Sequence, residues 1–454
     1  MSGHGAAAPK GLGTRSIQAL SLLVAFGVLY FATRYTPELE GHLGTVAAVG
    51  FLLLAGTLLS ELLETIGLPH LSGYLLAGIV SGPYVFHLVD HHAVTDLSMV
   101  NTLALALIAL AGGAELRMET LRSVARSLAW HTLWQSVFVL FAMAGTFFVL
   151  SRFLPFTRDL TLPALIGVSM LWGVLAIARS PSACLGILSQ TRARGPVATF
   201  SLAFVMSSDV VVVVLLAFSI MLARPLITGA EGFSIYDLTV LGHELLGSVA
   251  MGTTLGLVLA AYLRLVGKQF LLVLLALGFV VTDFLKYVHL DPLLTFMVAG
   301  FVVQNMTAQG PVMLRTIEQV GGVVFVVFFG TAGAHLDVPL LQKYWPIALS
   351  LCGARAVFTL IAARMASRYA HDVPAVRRWG FSSLVSQAGL ALGIAMVIVK
   401  AFPSIGAGFS AMAIAAVAVN EMVGPVLFKF ALDRAGETHS EEQADRTSLA
   451  PPAH

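Results

Sequence analysis

The sequence predicts an all-α polytopic membrane protein of about 14 transmembrane helices, built as inverted repeats of six helices with two broken helices. Three observations carry that prediction. Of 454 residues, 57% are hydrophobic and only 11% are charged, against roughly 25% charged in an ordinary soluble domain. The apolar residues fall in separate runs, each of about 20 residues and long enough to cross ~30 Å of hydrocarbon as a helix. Short motifs in the first half recur about 220 residues later. A mean hydropathy of +0.88 excludes a soluble enzyme, a disordered chain and a soluble domain with a single anchor helix. The runs are too long, and alternate too little, for the strands of a membrane barrel.

In chain order the predicted spans are 16–34, 44–64, 71–89, 99–114, 128–153, 162–189, 196–222, 240–264, 269–286, 292–307, 318–336, 345–367, 379–401 and 406–432. The first is too long for a signal peptide and lacks a cleavage site, so it reads as an additional N-terminal helix after a cytoplasmic tail at 1–15. Residues 44–222 form the first repeat, 240–264 a linker helix, 269–432 the second repeat and 433–454 a polar cytoplasmic tail. The loops are short, which leaves no room for a soluble regulatory domain.

The basic residues orient these spans. Of 26 Lys and Arg, two (Arg179 and Arg355) fall inside spans. Seven (Arg34, Arg152, Arg158, Arg224, Lys286, Lys343 and Lys400) fall on one set of loops and the other seventeen on the opposite set. The bias places both termini in the cytoplasm and the chain in the cell (inner) membrane. Trp130, Trp345 and Trp379 fit the aromatic belt. A net charge of +2 is too balanced for a nucleic-acid partner. Cys184 and Cys352 lie in apolar runs and read as packed thiols, so no disulfide framework, metal cluster or cofactor is expected. Asp90-His91-His92 has no third ligand and reads as a solvated loop. Gly252 and Gly256 form a small-xxx-small helix-packing pair.

Ala77-Gly78-Ile79-Val80 recurs as Ala299-Gly300-Phe301-Val302, and Gly113-Ala114-Glu115-Leu116 as Gly333-Ala334-His335-Leu336. The recurrences are seven spans apart, so the two halves run in opposite senses. Exchanging the conformations of two inverted halves gives alternating access, the hallmark of a transporter. Two spans at corresponding positions are broken. One contains Arg179-Ser180-Pro181-Ser182, where Pro181 removes a backbone donor. The other contains Ser386-Gln387-Ala388-Gly389. Breaks at membrane depth line cavities where freed carbonyls and half-helix ends coordinate ions.

Asp209 is the central candidate. It stands mid-span in Met206-Ser207-Ser208-Asp209-Val210-Val211, where a carboxylate costs about 2.5–3.5 kcal/mol and persists only with a partner or a task. Such a group can hold a proton at one pH and a monovalent cation at another. Arg355 is the expected charge partner, because a guanidinium stabilises the ionised acid without itself releasing a proton. Arg179 either lines the first break or snorkels to the cytoplasmic face. Glu421, after Asn420, is the inverted counterpart of Asp209; it either closes the cavity or pairs with an arginine. Glu61, Glu64, Glu244 and Asp283 lie nearer span ends and read as interfacial.

The ordered set of motifs resembles the cation:proton antiporter superfamily, in the branch of bacterial Na+/H+ and K+/H+ exchangers. The matching stretches are Gly73-Tyr74-Leu75-Leu76-Ala77-Gly78 with Gly82-Pro83, the Ser180–Ser182 break and Ser208-Asp209. They continue with Phe328-Phe329-Gly330, Arg355, Ser386-Gln387-Ala388-Gly389 and Asn420-Glu421-Met422-Val423-Gly424-Pro425. The resemblance implies a static panel and a mobile core moving as an elevator in a homodimer, with two broken helices crossing beside the acid. It further implies that Asp209 binds the cation and the proton, with Ser208, Ser180 and Ser182 beside it. Pro181, Ser386, Gln387 and Gly389 then line the breaks, and Arg355 holds the basic position. Electrogenic relatives carry two adjacent aspartates and a lysine, where this chain has Ser208, Asp209 and Arg355. One carboxylate and one arginine imply electroneutral exchange of one proton per Na+ or K+. Ser180 stands where many relatives carry Asp, and the first span is an addition to their usual thirteen. Two other readings accompany antiport: a gated cation conduit, and an organic-anion transporter of the same fold with Arg179 and Arg355 as its clamp.

Overall fold

The computed structural model describes residues 42–89, 103–229 and 235–438, apart from positions 67, 105, 268, 335, 337 and 388, together with residues 24 and 27. Among the described residues the secondary structure is entirely helical. The helices longer than six residues are α1 (His42–Glu64), α2 (His70–Ser81), α3 (Ala106–Glu115), α4 (Ala125–Phe153), α5 (Leu162–Ile177), α6 (Pro181–Thr191) and α7 (Pro196–Thr228). They continue with α8 (Ile235–Leu265), α9 (Phe270–Tyr287), α10 (Pro292–Met306), α11 (Gly310–Ala334), α12 (Val338–Ala370), α13 (Gly389–Ala401) and α14 (Pro403–Ala435).

Each predicted span from 44 onward overlaps one of these helices or a pair of them. The span predicted at 71–89, however, is helical only to Ser81, and that at 379–401 passes through a 3-10 turn and a break before its helix begins at Gly389. The predicted first span, apart from residues 24 and 27, and the Asp90-His91-His92 loop lie outside the described residues. Among the described residues six stretches are individually long and apolar enough to cross a membrane: Ala125–Phe153, Leu162–Thr191, Pro196–Thr228, Leu246–Leu265, Gln342–Ala370 and Gly408–Ala435. The pair Gly310–Ile317 and Gln319–Ala334, bent by 53°, makes a seventh if it counts as one span. Shorter apolar helices include His70–Ser81 and Pro292–Met306.

Proline sets many of the boundaries. Pro181, Pro196, Pro292 and Pro403 each occupy the first position of a helix, where the missing N–H has no intrahelical partner to lose. Pro181 therefore starts α6 and does not kink a continuous helix.

Packing produces two large apolar cores. One joins α2, α3, α6, α8, α9, α10, α11 and the first half of α7; the other joins α4, α5, α12, α13 and the second half of α7. Two helices pass from one core to the other. On α7 the first core ends at Met206 and the second begins at Val212. On α14 the second core ends at Val417 and the first resumes at Phe428. Asp209 and Asn420-Glu421 occupy these two seams.

Glycine allows the closest helix crossings. A Cβ on Gly78 of α2 would strike the Gly330 carbonyl of α11, and one on Gly333 would strike the Leu75 carbonyl. The crossing of α3 with α10 repeats the arrangement, Gly113 meeting the Met297 carbonyl and Gly300 the Leu110 carbonyl. Gly252 and Gly256 of α8 seat against α10, where a Cβ would lie 2.5 Å from the Thr295 oxygen and 2.7 Å from the Ala299 oxygen. Small residues thus let backbones touch where side chains would hold them apart.

Candidate cation site

The first break separates α5 from α6. Helical geometry stops at Ile177, and Ala178 and Ser180 are extended, with ψ 147° and 100°. Ser180 caps α6: its hydroxyl accepts from the Ala183 N–H at 3.1 Å and lies 3.2 Å from the Ser182 hydroxyl. The second break follows a 3-10 turn, Gly380–Leu384, and runs through Ser386 and Gln387 to α13 at Gly389. Ser386 is buried, and a Cβ on Gly424 of α14 would lie 2.6 Å from its Cα, so α14 lies directly on this break.

Arg355 joins the two breaks. It is 3% exposed and donates through Nε to Ala176 O at 2.6 Å and through Nη1 to Val385 O at 2.6 Å. Its Nη2 donates to Ala178 O at 2.9 Å and to Leu384 O at 3.0 Å. These carbonyls are what an interrupted helix leaves without intrahelical donors, and they carry the negative end of the helix dipole. A guanidinium, with five donors in a fixed fork, suits them. Around it, Gln387 Nε2 donates to Leu175 O at 2.9 Å, and Asn420 Nδ2 donates to Gln387 Oε1 at 2.7 Å. The Asn420–Gln387 bond ties α14 to the same junction.

Asp209 has no such partners. It is 5% exposed, and among the described residues neither carboxylate oxygen has a hydrogen-bond partner. Ser208 is also buried, its hydroxyl donating back to Val205 O at 3.0 Å with its lone pairs still available. The arginine whose charge bears on Asp209 is Arg179. Arg179 is 3% exposed and does not snorkel: its Nη2 donates to Gln135 Oε1 at 3.3 Å and its guanidinium lies 4.8 Å over the Phe204 ring. Its Nε has no partner. The described residues contain no ion pair between Asp209 and Arg355, whose four bonds all run to carbonyls. Glu421 is 6% exposed, one of its oxygens likewise without a partner.

Two polar side chains near the site escaped the sequence reading. Gln135 lies in a five-residue π-helical turn, Gln135–Val139, and its Nε2 donates to Thr359 O at 3.0 Å. That bond turns its oxygen toward Arg179. One turn earlier, His131 is fully buried, with Nε2 3.1 Å from both Ser367 Oγ and Asp372 Oδ2. Its ring packs on Phe200 and Phe204 of the Asp209 helix, at centroid distances of 4.4 and 5.6 Å. The signal was present, since His131 and Gln135 stand four apart in an apolar run and so share one helix face.

Another unforeseen contact holds the start of α7. Glu437, beyond the end of α14, is 5% exposed, and its carboxylate accepts from the Val197 and Ala198 N–H groups at 2.8 Å each. A carboxylate at a helix N-terminus satisfies free donors and opposes the dipole.

In chemical terms the site is a buried carboxylate whose two oxygens have no hydrogen-bond partner among the described residues, next to the Ser208 hydroxyl and with Arg179 and the Asp291 carboxyl in electrostatic reach. Four of the break carbonyls, those of Ala176, Ala178, Leu384 and Val385, already accept from Arg355.

A family model described as "Sodium/hydrogen exchanger, transmembrane" matches residues 49–434. Two solved structures are similar over most of their lengths. One is the sodium proton antiporter MjNhaP1 from Methanocaldococcus jannaschii at pH 8, with 14% identity over 86% of this chain and 98% of that chain and a TM-score of 0.61. The other is an electron-microscopy structure of the same antiporter, with 15% identity over 88% of this chain and 100% of that chain and a TM-score of 0.68. At these identities the likeness establishes the fold. No curated protein matches the chain.

Proposed function

The chain belongs to the sodium/hydrogen exchanger family, a multi-pass membrane transporter and not an enzyme, and from that membership we propose that it exchanges one monovalent cation, Na+ or K+, for one proton at Asp209. The observation that carries the proposal is the carboxylate with both oxygens unpartnered, at the seam where α7 passes between two apolar cores. A buried carboxylate left so is costly, and either a proton or a cation relieves the cost. One carboxylate cannot take both, so the two fluxes are coupled by competition. With Arg179 and Arg355 protonated through the cycle and Asp209 as the acid that trades its proton for the cation, one charge crosses in each direction per turnover and the exchange is electroneutral.

Alternating access follows from elevator movement of the core that carries α6, α7, α13 and α14 against a panel that includes α2, α3, α10 and α11. The matched glycine crossings of α2 with α11 and of α3 with α10 support two inverted repeats and a rigid panel. The protein acts in the cell membrane with both termini cytoplasmic, as a homodimer. An organic-anion clamp is poorly served, since Arg355 has four carbonyls as partners.

The test uses liposomes enclosing a pH-sensitive dye, with Na+, K+ or Li+ added outside under a clamped membrane potential. Proton movement that one cation triggers, that voltage leaves unchanged and that Asp209→Asn abolishes is the expected result. Residual antiport in Asp209→Asn removes this residue from the mechanism. Rates that scale with voltage overturn the one-for-one stoichiometry.

A further inference from the structure

A cavity of about 780 Å³ lies between α3 and α11 on one side and α6 and α7 on the other, within the roughly 300–1,000 Å³ typical of ligand pockets. Its two ends differ in chemistry. Arg117 follows the end of α3, Arg192 the end of α6, and Arg194 stands just before α7, and all three are exposed and line the cavity. About two turns along those helices the lining is apolar, with Leu107, Leu185 and Leu202, and α11 adds Phe325. Among the described residues no ion pair takes up any of the three arginines. Glu115, which also lines this end, has an interaction of its own.

The apolar wall reaches Ala203, six residues before Asp209 and so about 9 Å short of it along the helix. The cavity is thus directed at the acidic site, yet its mouth repels cations. Topology alone asks for basic residues in a loop; it does not ask for three guanidinium groups around one apolar cavity. An occupant that satisfies both ends carries a negative head and a hydrocarbon tail.

We propose that this cavity binds an anionic phospholipid from the adjoining leaflet, its phosphate at Arg117, Arg192 and Arg194 and an acyl chain along the apolar wall. The bound lipid fills the approach to Asp209 and slows exchange. This second statement rests on the function proposed above, whereas the binding does not.

Delipidated full-length protein in neutral detergent is mixed with phosphatidylglycerol, phosphatidylcholine or inorganic phosphate, then followed by native mass spectrometry and thermal unfolding. Phosphatidylglycerol alone is expected to stay bound and to raise the melting temperature by about 2–4 °C. Each arginine replaced, in Arg194→Gln and in the triple variant with Arg117→Gln and Arg192→Gln, should weaken retention on the order of fivefold. Ala111→Phe, which fills the apolar wall and leaves the arginines in place, should abolish retention and keeps the test valid if the triple variant misfolds. Equal retention by the arginine variants, or equal binding of phosphatidylcholine, overturns the proposal. The same stabilisation by inorganic phosphate reassigns the site to a free anion and overturns the lipid. In liposomes, exchange should be slower with phosphatidylglycerol than without it, and the triple variant should not respond to the change. If exchange itself fails, the binding result still decides the site.

Discussion

Arg355 and Arg179 divide two tasks that a single buried cation might have performed. Arg355 satisfies four carbonyls from the two broken spans, while Arg179 supplies the charge that bears on Asp209. Removing the guanidinium leaves buried acceptors unsatisfied, at about 1–3 kcal/mol each. Arg355→Met should therefore yield little folded protein. Arg355→Lys, with three donors on a flexible stem in place of five in a planar fork, should fold but melt well below the wild type. Melting curves in detergent decide this, and wild-type stability in both variants would remove Arg355 from the junction. The sequence made Arg355 conspicuous as an intramembrane cation but hid its partners. Those partners are backbone oxygens as far as 179 residues away, and every residue has one. Arg179 has the opposite history: its burial became decidable only once Gln135 and Phe204 were placed around it.

At the level of helices and their ends, the breaks were legible because proline and glycine limit the backbone directly. Pro181 can only begin a helix or disrupt one, and it begins α6. The contacts that fasten helix ends were not legible, because they link distant segments. Glu437 belonged to a tail read as polar, yet it caps the helix that carries Asp209. The His131–Asp372 contact similarly joins α4 to the loop after α12, against the aromatic face of α7. Burial pushes the Asp372 carboxyl up, but hydrogen bonds from the His131 ring and the Ser367 hydroxyl outweigh it and hold the group below its ordinary value. A carboxyl held low in the folded state contributes stability above its unfolded value of about 3.9. That contribution is lost as pH falls through the folded-state value. Wild-type melting temperature should thus drop as the medium is acidified below about pH 4. In Asp372→Asn the acid-induced drop should be smaller, from a starting stability at neutral pH about 1 kcal/mol lower. Parallel pH profiles for the two proteins would show that this contact contributes nothing.

For the whole molecule, the elevator proposed above has to part the first apolar core, which packs α6 and the start of α7 with α3 and α11. Helices α7 and α14 pass from one core to the other, and their polar residues, Asp209 and Asn420-Glu421, sit where each passes. The α2–α11 and α3–α10 crossings bring backbone against backbone, so these pairs behave as rigid units, since a slide would drive carbonyls into Cβ or Cα atoms. Among the described residues the cavity between α3 and α11 on one side and α6 and α7 on the other has no such backbone contact, and in the elevator proposed above it is the plane along which the core moves. Two cysteine pairs separate the alternatives. Gly82→Cys with Ala334→Cys lies within the rigid group, because a Cβ on Gly82 falls 3.2 Å from the Ala334 Cα. Leu188→Cys with Leu314→Cys spans the cavity. Both pairs are built in a background carrying Cys184→Ala and Cys352→Ala, so that only the introduced thiols can be joined, by oxidation or by a short bifunctional reagent. Cross-linking the first pair should leave exchange near its wild-type rate. Cross-linking the second should stop it, with recovery when the link is cleaved. Exchange that survives the second cross-link would mean that α6 and α7 need not move against α3 and α11. Alternating access would then have to arise within the core, through the two broken spans held by Arg355.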